Sequence, residues 1–266
     1  MVSFPPCKIN LGLQILSKRA DGYHNISTCF YPLPWTDILE VLPSDALTFT
    51  QTGIVIPGTP EENICRAAYE LLKRDFSLPV VRIHLHKIIP VGAGLGGGSS
   101  DGAHMLRLLN SLFALHQTGE CLMRYASQLG SDCAFFVHDR PMIGKGRGEM
   151  LEPADLNLRG YYLRLFNPGI HISTAQAYAH IVPQIPSVKL DQVIQNPVSG
   201  WKETLKNDFE DSVFQRYPLI QQIKTELYTS GAIYASMSGS GSSVFGIFED
   251  DRPRNYFMKE TWSGWL

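Results

Sequence analysis

The sequence predicts an α+β fold. Some segments alternate apolar and polar residues with a period of two, as half-buried strands do, and others space apolar residues three and four apart, as helices do. The two kinds follow one another without the strict strand–helix alternation of a parallel doubly wound sheet. The chain has 266 residues, which at about 150 residues per domain suggests one large or two modest domains.

The elements follow in order. Ile9, Leu11, Leu13 and Ile15 point one way and Lys8, Asn10, Gly12 and Gln14 the other, a half-buried strand over 7–15. Asp21-Gly22 marks a turn that delivers Tyr23-His24 into the next segment. Residues 38–42 and 47–50 read as strands. Asn63 is placed to cap a helix from Ile64 to about Phe76. Val81, Ile83 and Leu85 alternate with Arg82, His84 and His86, another strand. A glycine-rich loop then opens a helix with Ala103, Leu106, Leu109 and Phe113 at helical spacing. A second helix runs from about Glu120 to Leu129 and stops at Gly130. Ser131-Asp132 falls in the break before the apolar run 133–137, read as a strand. In the second half, Tyr161–Phe166 reads as a strand, and Ser173 or Thr174 caps a short helix. Pro218 opens a helix to about Thr229, and strands at 232–236 and 244–248 flank the turn Ser238–Ser243. Polar residues and prolines over 147–160 mark the expected domain boundary.

Composition narrows the function. Lys and Arg number 23, Asp and Glu 25, for a formal charge of -2. So flat a balance lacks the basic field that nucleic acid requires. No stretch approaches the roughly 18 apolar residues of a membrane span. The start, MVSFPPCKIN, has no basic and then apolar run of a secretory leader. Five scattered cysteines without a C-x-x-C pair read as reduced thiols of a cytoplasmic protein. His84-Leu85-His86 lacks a carboxylate or Cys cluster and reads as one strand face rather than a metal site.

Glycine is concentrated at one place: Gly92, Gly94, Gly96, Gly97, Gly98 and Gly102 lie within eleven residues. The loop joins a strand to a helix. Glycines let its backbone approach a ligand closely, and the first helical N–H groups favour an anion, so a polyphosphate is the natural guest. Ser99 and Ser100 add hydroxyls where a phosphate or metal ion would sit. Gly92, Gly94 and Gly97 match G-x-G-x-x-G, but no strand with a terminal acidic residue follows about 20 residues on, as a dinucleotide fold requires. No Gly-Lys-Ser/Thr ends the loop, which excludes a P-loop.

Pro90-Val91-Gly92-Ala93-Gly94-Leu95-Gly96-Gly97-Gly98-Ser99-Ser100-Asp101 resembles the phosphate loop of the GHMP kinases. Pro6–Leu13 with Lys18-Arg19-Ala20-Asp21-Gly22-Tyr23-His24 is similar to the opening signature of one branch of that superfamily, which acts on a cytidine-diphosphate-linked methylerythritol. Gly130-Ser131-Asp132 with Phe135-Phe136, and Met237–Ser243, resemble its remaining motifs, in family order across nearly the whole chain. Cys7 and Gly102 stand where alanine is usual in the family. The resemblance implies a two-domain GHMP kinase fold. Residues 1–150 would form an ATP-binding domain like the second domain of ribosomal protein S5, and residues 151–266 a ferredoxin-like domain that contributes to the substrate site. It implies transfer from ATP, with Mg²⁺, to the 2-hydroxyl of the cytidylated acceptor, a step of non-mevalonate isoprenoid synthesis. A homoserine or mevalonate kinase would share the loop without Tyr23-His24, and a non-catalytic nucleotide-binding regulator would not need Lys8 and Asp132.

Carried onto this chain, the resemblance makes Asp132 the base for the hydroxyl proton and Lys8 its partner. An ammonium there favours the charged carboxylate and stabilises charge developing on the attacking oxygen. Pro90 to Ser100 would hold ATP, with Ser100 also the candidate Mg²⁺ ligand. Tyr23 and Tyr178 would wall the cytosine, with His24 reading its edge. Asn10, Thr174, Gly239 and Ser240 complete the expected acceptor site. The tail 249–266 matches no motif.

Overall fold

A computed structural model describes residues 1–266 except His180 and Pro253. Its strands are β1 (Val2–Ser3), β2 (Pro6–Lys18), β3 (His24–Thr36), β4 (Ile38–Pro43), β5 (Thr48–Gly53), β6 (Val81–Lys87), β7 (Met142–Gly146), β8 (Met150–Pro153), β9 (Tyr162–Phe166), β10 (Tyr234–Met237), β11 (Val244–Phe248) and β12 (Trp262–Trp265). Its helices are α1 (Ile64–Lys73), α2 (Gly97–Leu112), α3 (Gly119–Leu129), α4 (Thr174–Tyr178), α5 (Leu190–Val193), α6 (Trp201–Thr204), α7 (Glu210–Arg216) and α8 (Pro218–Thr229). The strands form three four-stranded sheets, ordered β1-β4-β6-β5, β2-β3-β7-β8 and β10-β11-β9-β12.

The chain divides into two compact units, and neither is continuous in sequence. The first takes residues 1–8, 35–91 and 96–140; the second takes 9–34, 92–95 and 141–266. In the first unit β4 pairs antiparallel with β6, and β5 joins β6 in parallel. Leu39, Val41, Ile83 and Leu85 from this sheet are fully buried, as are Tyr69 and Leu72 of α1 and Leu106 and Leu109 of α2. Full burial of each such side chain is worth about 1.5–3 kcal/mol. Asn63 caps α1 as expected, its side chain accepting from the Cys65 N–H at 2.9 Å. The helix ends at Lys73, short of Phe76.

One expectation is corrected here. Cys133 to Val137 is not a strand: turns lead into a 3₁₀ turn over Phe135–Val137. The N–H groups of Phe136, Val137 and His138 donate three residues back. All five side chains of the run are buried, so no alternation exists to favour a pleat. Phe135 and Phe136 pack edge to face at 4.8 Å.

In the second unit Leu13, Ile15, Phe166, Ile172, Phe209, Ile223, Leu227 and Met237 share one apolar cluster. Ser173, not Thr174, caps α4, with Gln176 completing a capping box. The tail finds its place as β12, which pairs antiparallel with β9 from Trp262↔Leu165 to Trp265↔Tyr162. Arg164 on β9 anchors it through an ion pair with Glu260 and stands over the ring of Tyr256 at 5.9 Å.

Candidate active site

In the first unit, chemistry gathers at the start of α2. The helix opens on Gly96, whose φ of 68° is left-handed and which has no side chain to cap the first N–H groups. Those donors, with the helix dipole behind them, suit an anion. A Cβ on Gly96 would lie 2.9 Å from Phe136 and 3.1 Å from Cε of Lys8, so the lysine stem packs against the helix entrance. Lys8 Nζ reaches Oδ2 of Asp132 at 3.4 Å; the lysine side chain is 3% exposed and the aspartate 33%. A buried ammonium thus faces a carboxylate that keeps access to solvent. Ser99 hydrogen-bonds the thiol of Cys133, next to Asp132, and burial pushes that thiol up to about 12. Ser100 is fully buried, and its Oγ has no hydrogen-bond partner among the described residues. An orphaned hydroxyl one turn into this helix fits an oxygen ligand for a cation or a phosphate partner.

Beside the helix start lies a cavity of about 440 Å³. Phe49, Ile56, Pro57, Ile64 and Val91 give it apolar walls, while Gln51, Thr59 and Asn63 supply polar atoms; Gly98, Ser99, Lys87 and Asp101 close the end nearest α2. It has the size and lining of a heterocycle pocket continuing into a phosphate site. Sequence reasoning did not find it. Apart from Lys87 and the glycine-loop residues Val91, Gly98, Ser99 and Asp101, its residues come from β5, the segment 56–62 and the start of α1, and no motif links them.

Lys87 and Asp101 also belong to a buried triad. Lys87 Nζ donates to Asp37 Oδ2 and, at 2.7 Å, to Asp101 Oδ2. All three side chains are at most 1% exposed. The other oxygen of Asp37 accepts the N–H groups of Ile88 and Ile89 at 2.6 and 2.9 Å. Burial raises the Asp101 carboxyl to about 7; the Lys87 charge pulls the other way, and Asp37 adds to the rise. For Lys87, burial lowers the ammonium, but the two carboxylates together outweigh it and leave it raised. One ammonium serving two carboxylates explains both directions.

The second unit holds the rest of the expected site. The Ser238 hydroxyl donates to the Gly94 carbonyl at 2.8 Å, and the Ser243 N–H donates to Ala93 O at 3.2 Å. Asn207 clamps the Ser238 turn by donating to Met237 O and Gly239 O, both at 2.8 Å; nothing in the sequence had singled it out. Gly94 (φ 78°) cannot carry a side chain, since a Cβ would lie 2.0 Å from Ser238 O. Asn10 is buried: its N–H donates to Ser238 Oγ and its amide to Thr28 Oγ1. It therefore supports the Gly239-Ser240 turn, whose Ser240 is half-buried.

The expected aromatic residues also lie in this unit. Tyr178 stacks on His24, with centroids 4.5 Å apart and planes 10° apart. Phe209 meets Tyr178 edge-on at 4.8 Å. Burial, helped by the charge of Lys18, lowers the His24 imidazole and favours its neutral form. Tyr23 is 54% exposed, and Thr174 is exposed on the first turn of α4. His84 and His86 bond to Thr50 and Thr52 on β5, and no cluster of three metal-ligating side chains occurs among the described residues. All five cysteines are free, and no described helix is long and apolar enough to cross a membrane.

Comparison with known proteins agrees with these features. The family model described as GHMP kinases N terminal domain matches residues 63–140, and that described as GHMP kinases C terminal matches residues 192–256. A 4-diphosphocytidyl-2-C-methyl-D-erythritol kinase of Cytophaga hutchinsonii is 50% identical over 93% of this chain and 92% of its own. One from Bacteroides fragilis is 51% identical over 94% and 93%. A solved 4-(cytidine 5'-diphospho)-2C-methyl-D-erythritol kinase superposes with a TM-score of 0.81 at 32% identity, covering 93% of this chain and 90% of its own. Mevalonate kinase of Methanococcus jannaschii, at 12% identity and a TM-score of 0.69 over 93% and 90% of the two chains, shares the fold. The two-domain GHMP kinase fold expected from the sequence is the fold the protein has. The chain belongs to the GHMP kinases, within the family of 4-diphosphocytidyl-2-C-methyl-D-erythritol kinases.

Proposed function

We propose that the protein transfers the γ-phosphoryl group of ATP to the 2-hydroxyl of 4-diphosphocytidyl-2-C-methyl-D-erythritol, the kinase step of non-mevalonate isoprenoid synthesis. The observation that carries the reading is the Lys8–Asp132 pair, 3.4 Å apart with the lysine stem against Gly96 at an uncapped helix start. The substrate follows from relatives about half identical over nearly the whole chain.

In this reading the adenine occupies the cavity walled by Phe49, Ile56 and Ile64, and the phosphates lie on the loop from Pro90 to Ser100. The N–H groups opening α2 hold the phosphate oxygens in line for attack. Asp132 accepts the proton of the acceptor hydroxyl as its oxygen bonds to phosphorus and ADP leaves. Lys8 orients that carboxylate and stabilises charge on the attacking oxygen. Mg²⁺, when bound, neutralises the phosphates, and the orphaned hydroxyl of Ser100 is the residue that fits it. Residues 1–150 carry this machinery, and residues 151–266 contribute Thr174, Tyr178, Gly239 and Ser240 to the acceptor site, with Asn10 behind the turn. Tyr23 offers a face to the cytosine, and neutral His24 on Tyr178 offers a ring nitrogen to its edge. The free thiols and the dependence on ATP favour the cytoplasm, and the near-neutral charge argues against nucleic acid as a partner.

The test is ADP release with the cytidylated acceptor, mevalonate and homoserine offered separately. Turnover with the first alone is expected. Turnover with mevalonate or homoserine and none with the cytidylated acceptor refutes the assignment.

A further inference from the structure

Arg147 lies outside every family motif above. It stands at the apex of the turn between β7 and β8, flanked by Gly146 at φ 67° and Gly148 at φ 110°. The turn is tied at both ends: the Gly148 N–H donates to Lys145 O at 2.9 Å, and the Arg147 N–H donates to Glu149 Oε2 at 2.5 Å. Strand β7 runs antiparallel to β3, and their register ends at Ile26↔Gly146. One residue beyond that pair, Arg147 meets the residues that open β3. Its guanidinium carbon sits 4.9 Å from the centroid of the Tyr23 ring.

Tyr23 is also held through its peptide group. Its N–H donates to Asp21 Oδ1 at 3.1 Å, and Arg19 grips the same carboxylate through Nε and Nη2. A tyrosine more than half exposed gains little from core packing and does not belong to the apolar cluster of its unit. Two separate devices nevertheless fix it, one through its peptide and one through its ring. A cation over one face of an aromatic ring leaves only the opposite face for another partner.

We infer that Arg147 is a positioning residue for the acceptor: its guanidinium orders the Tyr23 ring in advance and leaves one face open to a pyrimidine base. The inference rests on the reading of Tyr23 as the base-stacking residue. Ordering the ring before binding removes part of the cost of immobilising it in the complex. For an exposed cation–π pair the gain corresponds to about a two- to five-fold change in affinity.

The experiment is a kinetic double-mutant cycle with Arg147→Ala, Tyr23→Ala, the double variant and Arg147→Lys, all checked for unchanged thermal midpoints. Arg147→Ala is expected to raise KM for the cytidylated acceptor about two- to five-fold, leaving kcat and KM for ATP unchanged. Arg147→Lys restores most of the loss, because an ammonium also sits over an aromatic face. In the Tyr23→Ala background, Arg147→Ala adds nothing. An unchanged acceptor KM in Arg147→Ala, beside a raised one in Tyr23→Ala, overturns the inference alone. An equal rise with and without Tyr23 also overturns it. If Tyr23→Ala leaves the acceptor KM unchanged, the base-stacking reading falls and takes the inference with it.

Discussion

Replacing Lys87 by Met and Asp101 by Asn should have very unequal consequences, although the two side chains share one hydrogen bond. The triad of Lys87, Asp37 and Asp101 holds two carboxylates and one ammonium, all essentially without solvent. At the 2.7 Å separation of Lys87 and Asp101, the gross attraction at an effective dielectric constant of 20 is about 6 kcal/mol. Desolvation takes back several kcal/mol for each ion. Lys87→Met leaves two buried carboxylates with no cation, and the expected loss is about 3–5 kcal/mol, a large part of the stability of an ordinary domain. Asp101→Asn instead leaves one ammonium for one carboxylate. The Asp101 oxygen that lacks a partner has no hydrogen bond to lose, and the amide oxygen still accepts from Lys87, so at pH 8 the loss is at most about 1 kcal/mol.

The pH dependence separates the two further. Burial raises the Asp101 carboxyl from its ordinary value to about 7 in the native state. Between the unfolded value and 7 the native protein therefore binds the extra proton. Its stability falls as pH rises through that window, by no more than about 1.4 kcal/mol per pH unit, and levels off above it. Lys87, raised, titrates above the window. Urea unfolding at pH 5, 6, 7 and 8 should show wild type gaining on Asp101→Asn as pH falls, and losing that advantage by pH 8. A difference independent of pH, or an Asp101→Asn variant as damaged as Lys87→Met at pH 8, refutes the reasoning.

Four further outcomes are expected. Lys8→Ala and Asp132→Asn should each lower kcat by about 10²–10⁴-fold, far more than they disturb folding, measured as turnover with saturating substrates and as thermal midpoint on the purified variants. Gly94→Ala puts a Cβ 2.0 Å from Ser238 O at a left-handed φ, so it should lower the urea midpoint and raise KM for ATP. Gly98→Ala meets no atom within 4 Å and should fold normally, with any loss confined to nucleotide binding. Phe49→Ala removes one wall of the cavity and should raise KM for ATP several-fold while leaving the acceptor KM alone, which initial rates at varied ATP will show.

Legibility followed local physics. The strand over 7–15 was readable because Ile9, Leu11, Leu13 and Ile15 alternate into a core, and its extension to Lys18 was not, since Leu16 directly after Ile15 breaks the alternation and the strand ends on polar Ser17-Lys18. Asn63 announced α1 because a cap is a contact within three residues. The run 133–137 misled because a continuous apolar stretch carries no period. Strand β8 escaped notice inside the presumed boundary: it lies mostly exposed, so no apolar face marks it. Strand β12 depends on the free edge of β9, a partner about a hundred residues away. In the candidate site, the helix start and the Lys8–Asp132 pair were legible as motifs. The cavity and the stacking of His24 on Tyr178 were not, because each joins residues whose nearness only the fold creates.

The glycine loop is shared between the two units for a chemical reason. A backbone that cradles phosphate must present N–H groups and keep its carbonyl oxygens, which repel anions, otherwise engaged. Along residues 92–95 the carbonyls of Ala93 and Gly94 accept hydrogen bonds from Ser243 and Ser238, which is why this stretch belongs to the second unit. From Gly96 onward the chain is already helix, its carbonyls committed forward as in Ser100 N–H to Gly96 O at 2.9 Å, and its first N–H groups left over. The serine-rich turn at 238–243 therefore satisfies the acceptors of Ala93 and Gly94, and under the proposed function this leaves mainly donors for the phosphates. That role also explains why buried Asn207 spends its side-chain amide on this turn and why the backbone N–H of Asn10 donates to Ser238.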